Sequence, residues 1–390
     1  MRIGIFGGTF NPPHVGHRAA AETAARALRL DRLFVIPAAI PPHKALPENT
    51  AQPADRLVMT KAAFSGMERT EVLDIELKRG GSSYTVDTVD ELRSAYPDAE
   101  IFLLMGTDMF VTLKNWREAD RLIGMVTPAV FSRGENDDAE IAEYAAELRK
   151  SHGVSARIVR NDVIEISSTE LRSELADRGG IEYLDGVVYS YIISHRLYGS
   201  RPDFRWLREQ AYSMLKPKRV AHVRGCEKEA VRLAARWGAD EDNAREAAIL
   251  HDITKKLTMD EQLRLCEKYG IINDNVELAN LKLLHAKTGA AVARDMFGVP
   301  DEVYDAIRWH TTGRAGMALL EKVVYLADYI EPTRDFEGLD ALRRLCYESI
   351  DDAMILGLRM SVDDIKSYGE EPHKRTLEAM EYLLRAKEGS

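Results

Sequence analysis

The chain has 390 residues, 45% of them hydrophobic and 30% charged, with a formal net charge of −10. That length predicts two or three domains, and the apolar share is enough for ordinary cores. Residues 1–200 carry 23 basic against 29 acidic side chains and the remainder 30 against 34, an even spread that excludes a non-specific nucleic-acid or anionic-membrane binder.

The chain opens on a short apolar run, 1–6, read as a buried strand. It leads into Gly7-Gly8-Thr9-Phe10-Asn11-Pro12-Pro13-His14-Val15-Gly16-His17, and residues 18–28 are rich in helix formers. Strand, glycine turn and helix in that order suit an anion. Paired glycines let the backbone approach it, and the free N–H groups of a helix N-terminus favour negative charge. His14 and His17, three apart, can face one phosphate. Residues 33–37 read as a second strand that completes a βαβ unit, and the stiff loop Pro41-Pro42-His43-Lys44 brings two further phosphate donors. Beyond it the pattern predicts a helix at 54–65, a strand at 70–76 and a helix at 89–95 opened by 82–88. A buried strand at 101–105 then ends in Gly106-Thr107-Asp108. A strand at 126–131, an acidic loop at 134–138, a helix at 139–150 and a strand at 154–159 follow. Ile166-Ser167-Ser168-Thr169-Glu170-Leu171-Arg172 has the hydroxyl pattern of a helix N-cap. Alternating strands and helices predict a doubly wound, mostly parallel α/β sheet with ligands outside the strand C-termini.

The pattern changes at Gly199-Ser200-Arg201-Pro202, so domains at 1–200 and 203–390 are expected. The second is all-α, with helices at about 204–216, 219–237, 241–257, 259–268, 285–297, 300–310 and 316–330 and two or more after them. Its histidines and acids include His222, the adjacent pair His251-Asp252, His285, His310 and Asp328. Nitrogen and carboxylate donors without a cysteine suit iron, manganese or another borderline-hard ion. Lys255, four after His251, would share its face and meet a phosphate. Cys226, Cys266 and Cys346 stand far apart with no CxxC pair, which points away from a disulfide framework and towards a reducing compartment. With no signal pattern and no apolar run near the ~18 residues of a span, a cytoplasmic protein is expected. Homo-oligomerisation stays open.

The stretch Gly7–His17 together with Ile166–Arg172 resembles the HxGH nucleotidyltransferases. Pro41–Lys44, Tyr84-Thr85-Val86-Asp87-Thr88, Gly106-Thr107-Asp108 and Trp116 narrow the resemblance to the nicotinate mononucleotide adenylyltransferases, over roughly residues 1–200. The resemblance implies a Rossmann-like fold and AMP transfer from ATP to nicotinate mononucleotide with Mg²⁺, a step of NAD biosynthesis. It assigns catalysis to His14, His17 and Lys44. ATP would be held by Gly7, Gly8, Thr9, Phe10, Ser167, Ser168, Thr169 and Arg172, and nicotinate mononucleotide by Thr85, Asp108 and Trp116. Asn11 stands where that family often has Asp, and Thr107 where it often has Ala. A sister enzyme with another mononucleotide acceptor is the rival, and Trp116 with Tyr84–Thr88 speaks against it.

The second half has the H…HD…D order of HD-domain phosphohydrolases. Arg308-Trp309-His310-Thr311-Thr312-Gly313-Arg314 and Leu326-Ala327-Asp328-Tyr329-Ile330-Glu331-Pro332 make it similar to the YqeK branch. That resemblance implies symmetrical hydrolysis of diadenosine tetraphosphate to two ADP at iron or another divalent transition metal. His222, His251, Asp252 and Asp328 would bind the metal. Arg219, Lys255, His285, His310, Thr311 and Arg334 would hold the substrate, unless His285 and His310 bind a second ion. Another nucleotide substrate, or a purely regulatory nucleotide-binding module, is the rival reading.

Overall fold

The computed structural model describes residues 1–388 apart from 42–46, 133–134 and 161–165, and leaves out the side chains of 135, 136 and 279. The chain divides into two compact units, Met1–Arg201 and Pro202–Ser390. The first is α/β and the second helical.

The first unit is built on a six-stranded sheet in the order β3-β2-β1-β4-β5-β6, every neighbouring pair parallel. The strands are β1 Arg2–Gly8, β2 Arg32–Pro37, β3 Thr70–Val72, β4 Glu100–Gly106, β5 Thr127–Ser132 and β6 Arg157–Arg160. A parallel sheet is covered on both faces, which is why its central strands read as unbroken apolar runs. Ile3, Ile5, Ile101, Leu103, Met105 and Val130 pack with Val86, Val89 and Leu92 of the helix Thr85–Ala95 on one face. The strand order reverses between β1 and β4, and a crevice outside the strand ends forms at such a reversal. The Gly7–His17 stretch leaves β1 there, and Thr107-Asp108 leave β4.

Several boundaries differ from those expected. The strand at 70–76 stops at Val72, and residues Ile75–Arg79 are helical, because Glu76 turns inward to take the Thr88 hydroxyl at 2.8 Å. The helix expected from 89 starts at Thr85. Of the acidic loop expected at 134–138, residues 135–138 belong to the helix Glu135–His152, whose N-terminus the charges of Asp137 and Asp138 suit, while Gly134 lies outside the described residues. The last strand starts at Arg157 rather than 154.

In the second unit the helices Val220–Trp237, Glu241–Leu250, Leu281–Phe297, Asp301–Trp309 and Leu319–Ile330 surround one core that includes Leu233, Ile249, Leu250, Ile307, Val323 and Leu326. Ser213 ends the helix expected to reach 216, and helices at 285 and 316 start instead at Leu281 and Leu319. Asn275–Ala279 is a short helix that the sequence pattern did not suggest. Among the described residues three helices follow Ile330, at Leu339–Glu348, Ile350–Ser367 and Lys374–Glu388. The helix expected over 241–257 ends at Leu250, and tight turns carry the chain to Leu257. Its end has a chemical cause: His251 Nδ1 lies 2.7 Å from the Ala248 carbonyl, a group that helix ends leave without a partner. No helix among the described residues is long and apolar enough to cross a membrane.

Candidate functional site

In the first unit, Gly7 is exposed and a Cβ there would meet nothing within 4 Å, so the turn has an open side. Gly8 is different: a Cβ would stand 3.0 Å from the ring of Phe10, which is buried and holds φ at 48°. His14 caps the helix Val15–Ala27, and its ring centroid lies 3.8 Å from that of His17. The His14 backbone N–H donates to His17 Nδ1 at 3.3 Å, which leaves the His17 proton on Nε2. His14 Nδ1 is buried without a hydrogen-bond partner among the described residues. Burial pushes His14 down to about 4, and burial with the neighbouring His14 holds His17 well below its usual value. Both rings are neutral at pH 7 in the ligand-free protein, and His17 offers an N–H rather than a charge.

The second signature docks on the first. Ser168 Oγ donates to the Pro12 carbonyl at 3.1 Å, and Arg172 Nη1 donates to the Asn11 carbonyl at 2.8 Å. Ser167 Oγ caps its helix by accepting from Glu170 N at 3.1 Å, and Thr169 Oγ1 accepts from Arg172 Nη2 at 3.2 Å. All three hydroxyls therefore already have protein partners. Lys44 lies outside the described residues, as does His43.

On the acceptor side, Thr85 opens its helix half-buried, and Asp108 is exposed one residue into the short helix Thr107–Val111. Trp116 packs partly buried against the core face. Its neighbour Arg117 ties it to the Thr85 turn, with its guanidinium 4.5 Å over the Tyr84 ring and 3.4 Å from Asp87 Oδ2.

Arg56 had no signal in the sequence. It is fully buried, and its guanidinium donates to the carbonyls of Thr9 at 2.8 Å, Ala38 at 2.6 Å, Ala39 at 2.9 Å and Ala51 at 3.3 Å. Tyr198 and Ala51 both donate to Asn11 Oδ1, at 2.9 and 3.2 Å. These bonds sew the glycine turn to the loop after β2.

In the second unit three histidines aim the same atom at one point. His251 and His310 each follow the last residue of a helix and place Nδ1 on a carbonyl three residues back, at 2.7 and 2.6 Å. His222 places Nδ1 2.9 Å from Glu331 Oε1. With Nδ1–H donating in each case, the Nε2 lone pairs are left to face inward, the arrangement a metal requires. His222 Nε2 lies 2.9 Å from Asp328 Oδ1 and 3.8 Å from Asp252 Oδ2, and His251 Nε2 lies 3.4 Å from Asp252 Oδ2. His251 Nε2 and Asp252 Oδ1 are buried with no hydrogen-bond partner among the described residues. Lys255 Nζ and His285 Nε2 do reach that Asp252 oxygen, at 3.1 and 3.2 Å, but as contacts without hydrogen-bond geometry. A fully buried His251 Nε2 that makes no hydrogen bond among the described residues and faces two carboxylates fits a divalent cation, since leaving such an atom without one is costly.

The electrostatics agree. Burial pushes the Asp252 and Asp328 carboxyls up, but His251 and Lys255, with His285 beside Asp252 and His222 beside Asp328, more than offset it and hold both well below the usual range. Burial lowers His310, and the neighbouring His251 and His285 lower it further. Around the carboxylates stand three cations with partly exposed side chains. Arg219 Nε bonds Asp252 Oδ2, Lys255 pairs with Asp252, and Arg334 Nη2 donates to Asp328 Oδ1 at 2.9 Å. Lys255 thus meets the acid three residues before it, not the phosphate-facing side of His251 that a continuous helix implied. Thr311 is half-buried beside His310.

Two residues join this centre unannounced. Glu331 is fully buried, and a Cβ on Gly225 would come within 2.4 Å of Glu331 Oε2, so the glycine makes room for it. Cys226, which the expected ligand set did not include, stands beside that set, grouped with His222, His251 and Asp328. A further cluster, Asp274, Glu277 and His373, is already satisfied, with Lys287 Nζ 2.6 Å from Glu277 and His373 Nε2 3.1 Å from Asp274.

Residues 5–174 match the cytidylyltransferase-like family and residues 219–333 the HD domain. A relative from Gemmatimonas aurantiaca, named probable nicotinate-nucleotide adenylyltransferase, is 41% identical over 52% of this chain and 94% of its own length. The chain belongs to the nicotinate-nucleotide adenylyltransferase family. A Mycoplasma genitalium relative, named probable nicotinate-nucleotide adenylyltransferase/Ap4A hydrolase, is 26% identical over 92% of this chain and 97% of its own. A solved Clostridium acetobutylicum structure, named as a predicted HD superfamily hydrolase involved in NAD metabolism, is 34% identical, covering 47% of this chain and 97% of that one with a TM-score of 0.46. The neutral histidine pair and the docked Ser168–Arg172 segment lie within the cytidylyltransferase-like match, and the Nε2 cluster lies within the HD-domain match.

Proposed function

We propose that Met1–Arg201 transfers AMP from ATP to nicotinate mononucleotide, giving nicotinate adenine dinucleotide and pyrophosphate. Pro202–Ser390 hydrolyses diadenosine tetraphosphate symmetrically to two ADP. The observation that carries both halves is that one chain assembles both constellations and spans 97% of a relative named for both activities.

In the transfer, a phosphate oxygen of nicotinate mononucleotide attacks the α-phosphorus of ATP, and the bond to the bridging oxygen of the leaving pyrophosphate breaks. Catalysis of such a step is positioning plus neutralisation of the transferred group. His17 donates Nε2–H to a phosphate oxygen, and His14 Nδ1 faces the same anion. The free N–H groups at the start of Val15–Ala27 add partial positive charge. Arg172 and Ser168 hold the Asn11-Pro12 segment in place, and Lys44 acts as a further cation. Trp116 stacks on the pyridine ring, Thr85 receives its carboxylate and Asp108 meets a ribose. Mg²⁺ bound with ATP would offset the charge of the triphosphate.

In the hydrolysis, His222, His251, Asp252 and Asp328 would hold iron or another divalent transition metal. Such an ion supplies a hydroxide nucleophile and offsets phosphate charge when bound. Arg219, whose Nη2 is buried with no hydrogen-bond partner among the described residues and lies 3.9 Å from Asp328 Oδ1, acts with Lys255 and Arg334 to draw the tetraphosphate to the rim. His285 Nε2 lies 3.1 Å from His310 Nε2 and beside Asp252, which favours a second reading with a second ion held there. Two ions per chain in metal analysis would support it, and one would remove it.

The full chain, purified with its metal, tests the function. Dinucleotide formation with nicotinate mononucleotide faster than with nicotinamide mononucleotide, and ADP as sole product of diadenosine tetraphosphate, are expected. Preference for the amide, or release of ATP plus AMP, would contradict one half each.

A further inference from the structure

Cys226 lies one helical turn after His222 on the helix Val220–Trp237, so both side chains leave the same face. Its sulfur is 1% exposed by residue, 3.3 Å from His222 Nε2 and 3.8 Å from Asp328 Oδ1. All of these atoms, with His251 Nε2, lie within 4.8 Å of one another. Around an ion with a metal–sulfur bond of about 2.3 Å and metal–nitrogen bonds of about 2.0–2.1 Å, neighbouring ligands at 90–110° stand roughly 3.1–3.6 Å apart. The sulfur-to-nitrogen spacing falls in that window. The independent sign that something is bound at this point is His251 Nε2, fully buried and without a hydrogen-bond partner among the described residues, with Nδ1 turned away to Ala248. The other cysteines, Cys266 and Cys346, are buried and belong to no such group among the described residues.

We propose that Cys226 supplies a sulfur ligand to the ion at the HD centre. The inference rests on the metal reading of that centre and adds a soft donor to its nitrogen and carboxylate set. The S–H proton passes to solvent as the metal–sulfur bond forms. A soft donor shifts preference from magnesium and manganese towards zinc, cobalt and iron. It also gives the hydrolase centre a spectroscopic mark that a wholly nitrogen–oxygen site lacks.

Full-length protein stripped of metal and titrated with Co²⁺ tests this by absorbance. The wild type is expected to develop a near-ultraviolet sulfur-to-cobalt charge-transfer band that saturates as the centre fills. The Cys266→Ala/Cys346→Ala double variant is expected to keep it. Cys226→Val, and Cys226→Ser if valine impairs folding, are expected to bind Co²⁺ without the band. Wild-type protein that binds Co²⁺ with no such band, or a Cys226 variant that retains it, overturns the sulfur ligand while leaving the metal reading intact. Wild-type protein that binds no Co²⁺, Zn²⁺ or Fe²⁺ overturns both.

Discussion

The two units meet the same chemical problem, a polyphosphate, with opposite protonation chemistry. The first presents two histidines that burial keeps neutral, backbone N–H groups and a turn sewn down through Arg56. The second presents two carboxylates that neighbouring cations keep charged, and histidines whose outer nitrogens are tied off. Neutral donors suffice where the substrate arrives with its own cation. Charged carboxylates beside inward-facing imidazole nitrogens are instead a donor set that suits a bound cation.

That contrast breaks most visibly through metal removal. Chelation followed by return of Mg²⁺ alone is expected to restore adenylyl transfer fully and leave hydrolysis near background. Equal recovery of both would erase the distinction.

Acid probes the neutral histidines. His14 sits at about 4 in the folded chain against 6.5 when exposed. The unfolded chain therefore takes up more protons between those values, and stability falls as pH drops from 6.5 to about 4. The gap corresponds to at most roughly 3 kcal/mol for this one group. Hydrogen-exchange protection of the helix Val15–Ala27 is expected to weaken over that range, and less steeply in His14→Gln. Identical slopes would contradict the neutral-ring account.

In the second unit, Glu331→Gln keeps the shape but weakens the acceptor for His222 Nδ1. A loss of about 10–100-fold in metal affinity is expected, read by competition with a chelating dye. Unchanged affinity would mean that the carboxylate does not orient the ligand.

The smallest effect concerns the acceptor. Aromatic stacking contributes about 0.5–1.5 kcal/mol, so Trp116→Ala is expected to raise the KM for nicotinate mononucleotide several-fold while that for ATP stays put. An equal rise for both substrates would remove Trp116 from the acceptor site.

What the sequence could reveal followed how local the chemistry is. His14 and His17 sit within one turn, and Ser167–Arg172 within one helix start, so their spacing alone announces an anion site. The parallel sheet was equally readable, because doubly covered strands leave unbroken apolar runs such as 101–105. Arg56 left no trace, since its partners are backbone carbonyls from three segments that only the fold assembles. The adjacency of His251 and Asp252 was visible, but not that His251 ends its own helix by bonding Ala248. Glu331 lay inside a stretch already singled out, yet its role depends on Gly225, over a hundred residues earlier. Cys226 could have been found from its i+4 spacing to His222, a signal weaker than the wide separation of the three cysteines.

The central claim is that one chain carries two separate phosphate centres, and crossed substitutions test it most directly. His17→Ala and Asp252→Ala, each in the full chain, are assayed for dinucleotide formation and for ADP release from diadenosine tetraphosphate. Each is expected to lower its own reaction at least about a hundredfold and leave the other within twofold. A folded variant that loses both activities together, or neither, would contradict the account.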